Sequence, residues 1–296
     1  MTTRSNLACA SLLALSLVAC GGGKGGTGDG GLVDGDGSLI DGDGGLLTDA
    51  GCIGIGCPGG VDAPPFGGTC TPGGPQCSNC VDDDADGQID GFDIECSGSL
   101  DNDEGSFATD IPGDNKDAVN QDCFFDGNSG AGNDGCNVHV CCILGAPDVA
   151  SCPIGANQYV PTECPPPVGT TPLSQQCIDT CAPLTPPGCD CFGCCTLCDA
   201  TGCYTVTTNP STAPNCDADS LADPTKCPVC TQSTSCGSPE CGGDTCILCP
   251  GQDAADLPAS CNDNPTCPTG TVECGIEGSC ASGTYCSNGC CIGIIL

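Results

Sequence analysis

The stretch from Cys189 to Cys203 reads CDCFGCCTLCDATGC and contains six cysteines, two of them adjacent. The rest of the chain is similar in character, with 36 cysteines, 47 glycines and 25 prolines in 296 residues, and with no tryptophan, three tyrosines and six phenylalanines. Such a composition cannot fill a large aromatic core, and cysteine at this density is typical of a disulfide scaffold. We therefore expect a small, irregular, disulfide-rich fold of several cysteine-cross-linked modules, with short β-strands and little helix.

Some of these cysteines are also spaced for zinc. The CxxC spacings considered for zinc are Cys195–Cys198, Cys227–Cys230 and Cys246–Cys249. Two such pairs together can form a four-thiolate zinc site. Vicinal cysteines favour disulfides instead, because each member of such a pair commonly bonds to a different partner; they are Cys141-Cys142, Cys194-Cys195 and Cys290-Cys291. The sequence therefore predicts disulfides throughout, with their connectivity open.

The charge of the chain is strongly one-sided. Asp and Glu number 38 against four Lys plus Arg, which gives a formal net charge of −34. This excludes nucleic-acid binding through a basic patch. Divalent cations are the partners that such a chain favours.

The N-terminus has the pattern of an export signal. Arg4 precedes a short apolar run, Leu7–Val18, which is too short to span a bilayer and ends in the tetrapeptide Leu17–Cys20 (LVAC). This tetrapeptide resembles the lipobox of bacterial lipoproteins. The resemblance implies cleavage before Cys20, lipid attachment at Cys20 and anchoring in a membrane of the bacterial cell envelope. By the sorting pattern of such lipoproteins, Gly21 after the cysteine favours the outer membrane or the cell surface. An ordinary secretory signal is the alternative.

Composition divides the chain into six segments. They are a signal peptide (1–19), a Gly/Asp-rich tether (20–51), a cysteine-flanked acidic module (52–110), a mixed cysteine module (111–176), a dense cysteine module (177–250) and a C-terminal module that looks like a disulfide knot (251–296). In the tether, glycine is dense enough to favour an extended coil. In the mixed module, the run from Asp122 to Gly130 predicts a strand that enters a turn.

The acidic module contains the sharpest motif, DDDADGQIDGFD at residues 82–93. Its spacing matches the calcium loop of EF-hands, in which alternate side chains point inward because a hard cation needs six to eight oxygens. Glycine stands at the sharp turn, at Gly87, and aspartate replaces glutamate at the last position, which keeps Mg²⁺ open beside Ca²⁺. The candidate ligands are Asp82, Asp84, Asp86, Gln88 through its carbonyl, Asp90 and Asp93.

The flanks of this loop differ from an EF-hand, since cysteines rather than amphipathic helices surround it. In this respect the segment Cys80–Glu104 resembles thrombospondin type 3 repeats and related Asp-rich bacterial surface repeats. The resemblance implies Ca²⁺ binding that orders the local chain. Asp101, Asp103 and Glu104 are candidates for a second ion or an outer shell. Ten carboxylates lie between Asp82 and Glu104, and no Lys or Arg occurs from residue 25 to residue 115.

Catalysis is not indicated by the sequence. His139 is the single histidine, and no serine or cysteine can be tied to it as a nucleophile. We therefore expect no enzyme but a lipid-anchored, calcium-binding, disulfide-rich surface protein with a structural or adhesive role, whose protein or polysaccharide partner is open. The alternative is a secreted enzyme or inhibitor module displayed on a disulfide scaffold.

Overall fold

The computed structural model describes residues 46–48, 51–53, 71, 73–111, 118–127, 134–155, 158–261, 264–274 and 279–294, the first two ranges as backbone only. The chain divides into two compact units, Met1–Cys52 and Ile53–Leu296. The expected signal peptide, most of the tether and Cys20 lie outside the described residues. Among the residues described, no helix has the length and apolar character needed to cross a membrane.

Regular structure is sparse and short. Strands β1 (Leu46–Thr48) and β2 (Gly51–Ile53) form a two-stranded sheet. The other strands, all paired antiparallel, are β3 (Asn120–Gln121) with β4 (Val138–His139), β5 (Cys194–Asp199) with β6 (Gly202–Thr207), and β7 (Val272–Glu273), β8 (Thr284–Ser287) and β9 (Cys290–Gly293) in the order β7-β9-β8. The two α-helices are α1 (Val140–Ile143) and α2 (Gln175–Cys181).

Single turns of 3-10 helix supply most of the remaining helical structure. They are Gln76–Ser78, Asp90–Phe92, Phe124–Asp126, Val149–Ser151, Pro161–Glu163, Ala182–Leu184, Ala218–Ser220, Gly243–Thr245, Ala254–Asp256 and Ala259–Cys261. Turns this short fit a chain in which proline and glycine interrupt every longer element.

Helix α2 shows how local sequence and cross-links cooperate. The Ser174 side chain caps its N-terminus by accepting a hydrogen bond from the Cys177 amide, 3.0 Å away. Cys177 and Cys181 are four residues apart, so they lie on one face of the helix, and both are fully buried. They bond to Cys136 and Cys123 respectively, so one helix face carries two disulfides.

Disulfides, rather than large side chains, occupy much of the interior. Fifteen of them join cysteines that both lie in the described residues: 77–96, 123–181, 136–177, 141–152, 142–164, 189–195, 191–236, 194–230, 198–203, 216–227, 241–249, 246–261, 267–290, 274–286 and 280–291. Cys80 is disulfide-bonded as well. The expected disulfide-rich fold of short strands and little helix is thus confirmed.

The pairing also decides between zinc and disulfides at the CxxC spacings. Each of the six cysteines considered for zinc is bonded to a partner outside its own CxxC pair. The members of each vicinal pair diverge as predicted; Cys194, for example, bonds to Cys230, and Cys195 to Cys189. The bridges 123–181 and 136–177 cross position 176, and 246–261 crosses position 250, so neighbouring segments share cross-links.

The prediction of a strand that begins at Asp122 is wrong. Residues Phe124–Asp126 form a 3-10 turn, and Gly127 then adopts φ 70°. The physical reason is burial: Phe124 and Phe125 are both buried and meet edge to face with ring centroids 5.1 Å apart. Successive strand residues point to opposite faces, so a strand with one solvated face cannot bury both.

Candidate metal centre

The acidic loop is attached to the rest of the unit at both ends. The Cys77–Cys96 disulfide closes it. The Tyr285 hydroxyl of β8 donates to the Cys77 carbonyl (2.8 Å), and the Asn288 amide donates to the Gly91 carbonyl (2.8 Å). The loop is therefore held against the C-terminal sheet by contacts that lie about 200 residues apart in sequence.

The three alternating aspartates of the motif converge. Carboxylate oxygens of Asp82, Asp84 and Asp86 lie within 4.8 Å of one another. Each carboxylate also accepts backbone amides within the loop: Asp82 those of Ala85 (2.6 Å) and Gly87 (3.2 Å), Asp84 that of Asp86 (3.0 Å), and Asp86 that of Gln88 (2.7 Å). These local turns, with Gly87 at φ 100°, fold the loop from its own sequence.

Two buried carboxyl groups, those of Asp93 and Glu95, lie next to each other behind the loop. Asp93 is 4% exposed, and its Oδ1 accepts the Glu95 amide (2.7 Å). Glu95 is also 4% exposed, and its Oε1 accepts the Ala218 amide (2.9 Å). No N–H or hydroxyl group of the described residues donates to the second oxygen of either residue, and the two side chains share a hydrogen bond, which a proton on one of them supplies.

Glu104 organises the loop from inside rather than standing at its edge. The residue is fully buried, and its two carboxylate oxygens accept the amides of Asp90 (2.7 Å) and Asp83 (2.6 Å). Its own amide donates to Gln76 Oε1 (2.9 Å). A carboxylate oxygen of Glu104 also lies within 4.8 Å of one from Asp93. Glu104 thus joins the first and second halves of the motif through backbone amides.

The remaining predicted ligands have other partners. The Asp90 carboxylate accepts the amides of Asn79 and Cys80 at 3.0–3.2 Å, and Gln88 is exposed. Asp101 is buried and accepts the Ser97 amide (2.9 Å) and hydroxyl (3.0 Å).

Asp103 accepts the Ser106 hydroxyl (2.6 Å). From the predicted set, the structure brings together Asp82, Asp84 and Asp86 in one group and Asp93 with Glu104 in another, and the Asp90 and Asp101 carboxylates accept backbone amides.

The electrostatics of this cluster favour an added positive charge. Burial raises the pKa of Glu104 to about 7, against the lowering effect of its two amide donors, and the charges of Asp90 and Asp83 raise it further. Burial is also the largest cause that raises the pKa of Asp93 and of Glu95, and the charge of Asp86 raises both. Ionised carboxylates are disfavoured here because burial removes their solvation and because neighbouring carboxylates repel them.

Glu95 is the residue that the motif did not identify. It lies two positions beyond the last loop position, so the calcium-loop pattern ends before it. The one signal in the sequence is that Asp93-Ile94-Glu95 continues the alternation of acids seen in the loop. Its contact with Ala218, 123 residues away, is visible only in the tertiary structure.

His139 has a structural role in this fold. Its Nδ1 accepts the Cys141 amide (3.1 Å) and so caps α1, and its ring packs on Tyr159 at 4.9 Å between centroids. The neighbouring Cys141 and Cys152 are bonded to each other.

Comparison with known proteins adds no family to this picture of a disulfide-rich protein of small irregular modules. No protein-family model matches the chain, and no curated protein or solved structure is significantly similar to it.

Proposed function

We propose that this chain is an exported, lipid-anchored protein of the bacterial cell envelope that binds Ca²⁺ in its acidic loop and acts in structure or adhesion. The convergence of Asp82, Asp84 and Asp86 carries the metal part of the proposal, because their carboxylate oxygens lie within 4.8 Å of one another and follow the spacing of a calcium loop.

The ligand chemistry fits a hard cation. Asp82, Asp84, Asp86 and Asp93 offer carboxylate oxygens, which Ca²⁺ and Mg²⁺ prefer over nitrogen or sulfur. Ca²⁺ is favoured because it accepts six to eight oxygens in flexible arrangements, whereas Mg²⁺ demands near-octahedral geometry and keeps its waters. A bound cation would offset the mutual repulsion of these aspartates and stabilise the loop.

The envelope location rests on the sequence and on the disulfides. The tetrapeptide Leu17–Cys20 is the residue pattern expected for lipidation, and its cysteine lies outside the described residues. Disulfides persist in oxidising, exported compartments and are rare in the cytosol. Cross-links at this density suit a surface protein that must stay folded without a large core.

The test is a calcium titration of the full-length protein in detergent by isothermal calorimetry, with Asp93→Asn as the variant and Asp110→Asn as the control. Asp110 is exposed, so the control removes the same charge outside the buried site. We expect wild type and Asp110→Asn to bind Ca²⁺ alike and Asp93→Asn to bind about tenfold or more weakly. An absence of binding heat for the wild type, with no retained metal, would refute the calcium function. Mass spectrometry of the intact protein tests lipidation at Cys20 separately.

A further inference from the structure

One disulfide of the described residues is open to solvent at a single end. Among the cysteines that the structure describes, Cys203 alone is exposed, and all the others are buried or half-buried. Cys198, to which it is bonded, is only 4% exposed. The Gln252 side-chain amide donates to Cys203 Sγ (3.7 Å), and this contact is itself at the surface. A dissolved reagent therefore reaches the bridge at Cys203.

The bridge lies on the outer face of the β5–β6 hairpin. Cys198 and Cys203 are directly paired in the register of the two strands. Thr196 and Thr205, two positions further along each strand, are paired as well, and their hydroxyls hydrogen-bond at 3.0 Å. Residues two positions apart on a strand share a face, so both pairs lie on one side of the hairpin. The other side, with Leu197, packs into a hydrophobic cluster.

The hairpin has supports other than this bridge. Six residue pairs join β5 to β6, and Cys194–Cys230 and Cys195–Cys189 bond β5 to other segments. Cys198–Cys203 has the smallest sequence separation of the fifteen bridges given above, five residues, so its opening releases the least chain entropy. We therefore expect the hairpin to stay folded when this bridge opens.

We propose that Cys203 is a site of reversible thiol–disulfide exchange with a small thiol that carries an amino group. The thiolate of the incoming molecule attacks Cys203 Sγ, the bond to Cys198 Sγ breaks, and Cys198 leaves as a thiolate that takes up the proton lost by the incoming thiol. One disulfide replaces another, so the exchange consumes no oxidant and no reductant. The product has the small thiol bonded to Cys203 and a free thiol on Cys198.

Access fixes the direction of attack and makes the exchange reversible. The rate of exchange depends on access to the attacked sulfur, and exposed disulfides are the ones that exchange readily. Cys198 stays buried opposite Cys203 in the strand register. Its thiolate can therefore attack Cys203 Sγ in turn, release the small thiol and restore the bridge.

Electrostatics select the class of thiol. The formal net charge of the chain is −34, and Asp199, next to Cys198, has its pKa lowered by the hydrogen bond from the Thr201 hydroxyl, so this carboxylate is ionised. Lys226 is the single lysine or arginine among the described residues, and its charge acts on Asp223. An attacking thiolate is already negative, so a second negative charge adds repulsion, whereas an amino group offsets it.

The experiment treats the folded full-length protein, in detergent, with cysteamine. Iodoacetamide then blocks free thiols, and mass spectrometry of peptic peptides locates both labels. We expect cysteamine on Cys203 and the iodoacetamide label on Cys198, formed about tenfold or more faster than adducts at Cys241–Cys249, whose more accessible end is half-buried. Near-ultraviolet circular dichroism should not change, and removal of cysteamine by gel filtration should restore the bridge.

A second thiol and two double variants provide the controls. Mercaptoethanesulfonate, which is anionic, should react about threefold or more slowly than cysteamine at low ionic strength, and salt should reduce the difference. Cys198→Ala/Cys203→Ala should lose the cysteamine adduct. Cys216→Ala/Cys227→Ala removes a bridge between two buried cysteines and should keep the adduct.

Each part of the proposal has an outcome that overturns it. Adducts that form at similar rates on several bridges would refute the exchange site. A cysteamine adduct on Cys198 with a free thiol on Cys203 would refute the direction of attack. Equal rates for the two thiols at low ionic strength would refute the preference for an amino group. None of these measurements depends on the calcium function.

Discussion

Removal of the Cys123–Cys181 disulfide tests the claim that cross-links replace a large core. The two cysteines are fully buried and 58 residues apart in sequence, but the Cys136–Cys177 bridge lies between them. With that bridge intact, the loop that Cys123–Cys181 closes in the unfolded chain shrinks to about 17 residues. The loss of conformational entropy for a loop of this length stabilises the folded state by about 3 kcal/mol. The double variant Cys123→Ala/Cys181→Ala should therefore lower the free energy of unfolding by about 3 kcal/mol.

A second double variant provides the matched comparison. Cys198–Cys203 spans five residues and joins paired positions of β5 and β6. The same relation between loop length and chain entropy gives a stabilisation of about 2 kcal/mol for this bridge. Urea unfolding, followed by near-ultraviolet circular dichroism because the chain has no tryptophan, measures both. Thiols are counted in denaturant at the same time. Two new free thiols in the Cys123→Ala/Cys181→Ala protein would refute the pairing, and a loss below about 1 kcal/mol would refute the entropic account.

Two further predictions concern the acidic loop. Burial raises the pKa of Glu104 to about 7 and that of Asp93 in the same direction, so their protonated forms favour the folded state. The stabilisation from these protonated forms is complete below pH 4.5, the ordinary pKa of a glutamate, and it is lost as the pH rises towards 7. Thermal melts in metal-free buffer should therefore give a lower melting temperature at pH 8 than at pH 5, and the opposite order would contradict this prediction. Gly91→Ala would place a Cβ onto the carbonyl oxygen of Cys286 and should cost about 2–3 kcal/mol in urea unfolding. Gly98→Ala, which meets nothing within 4 Å, is the control, and equal stabilities for the two variants would be evidence against close packing of the loop on β8.

Local motifs were predictable where the interactions are local. Asp82, Asp84 and Asp86 converge because each accepts an amide within five residues of itself, and Gly87 permits the turn. The alternating spacing is enough to predict such a loop. The divergence of the vicinal cysteines was predictable as well, because adjacent cysteines seldom bond to each other and each sulfur forms a single disulfide.

Roles that depend on burial were not predictable from spacing. Glu104 was expected in a second metal shell, yet its carboxylate accepts two amides from the motif itself. Glu95 was not expected at all, because its partner is Ala218. Phe124 and Phe125 form a turn rather than the predicted strand because both rings are buried, and the sequence does not show what covers them.

The amino-acid sequence by itself determined the class of fold and the chemistry available to it. A chain with 36 cysteines, no tryptophan and few other aromatic residues favours cross-linked modules, because it cannot fill a large core. Only the tertiary structure decided which cysteines pair and which carboxylates are turned inward. Both depend on contacts between residues that are distant in sequence, and only those contacts bury the carboxyl groups of Asp93, Glu95 and Glu104.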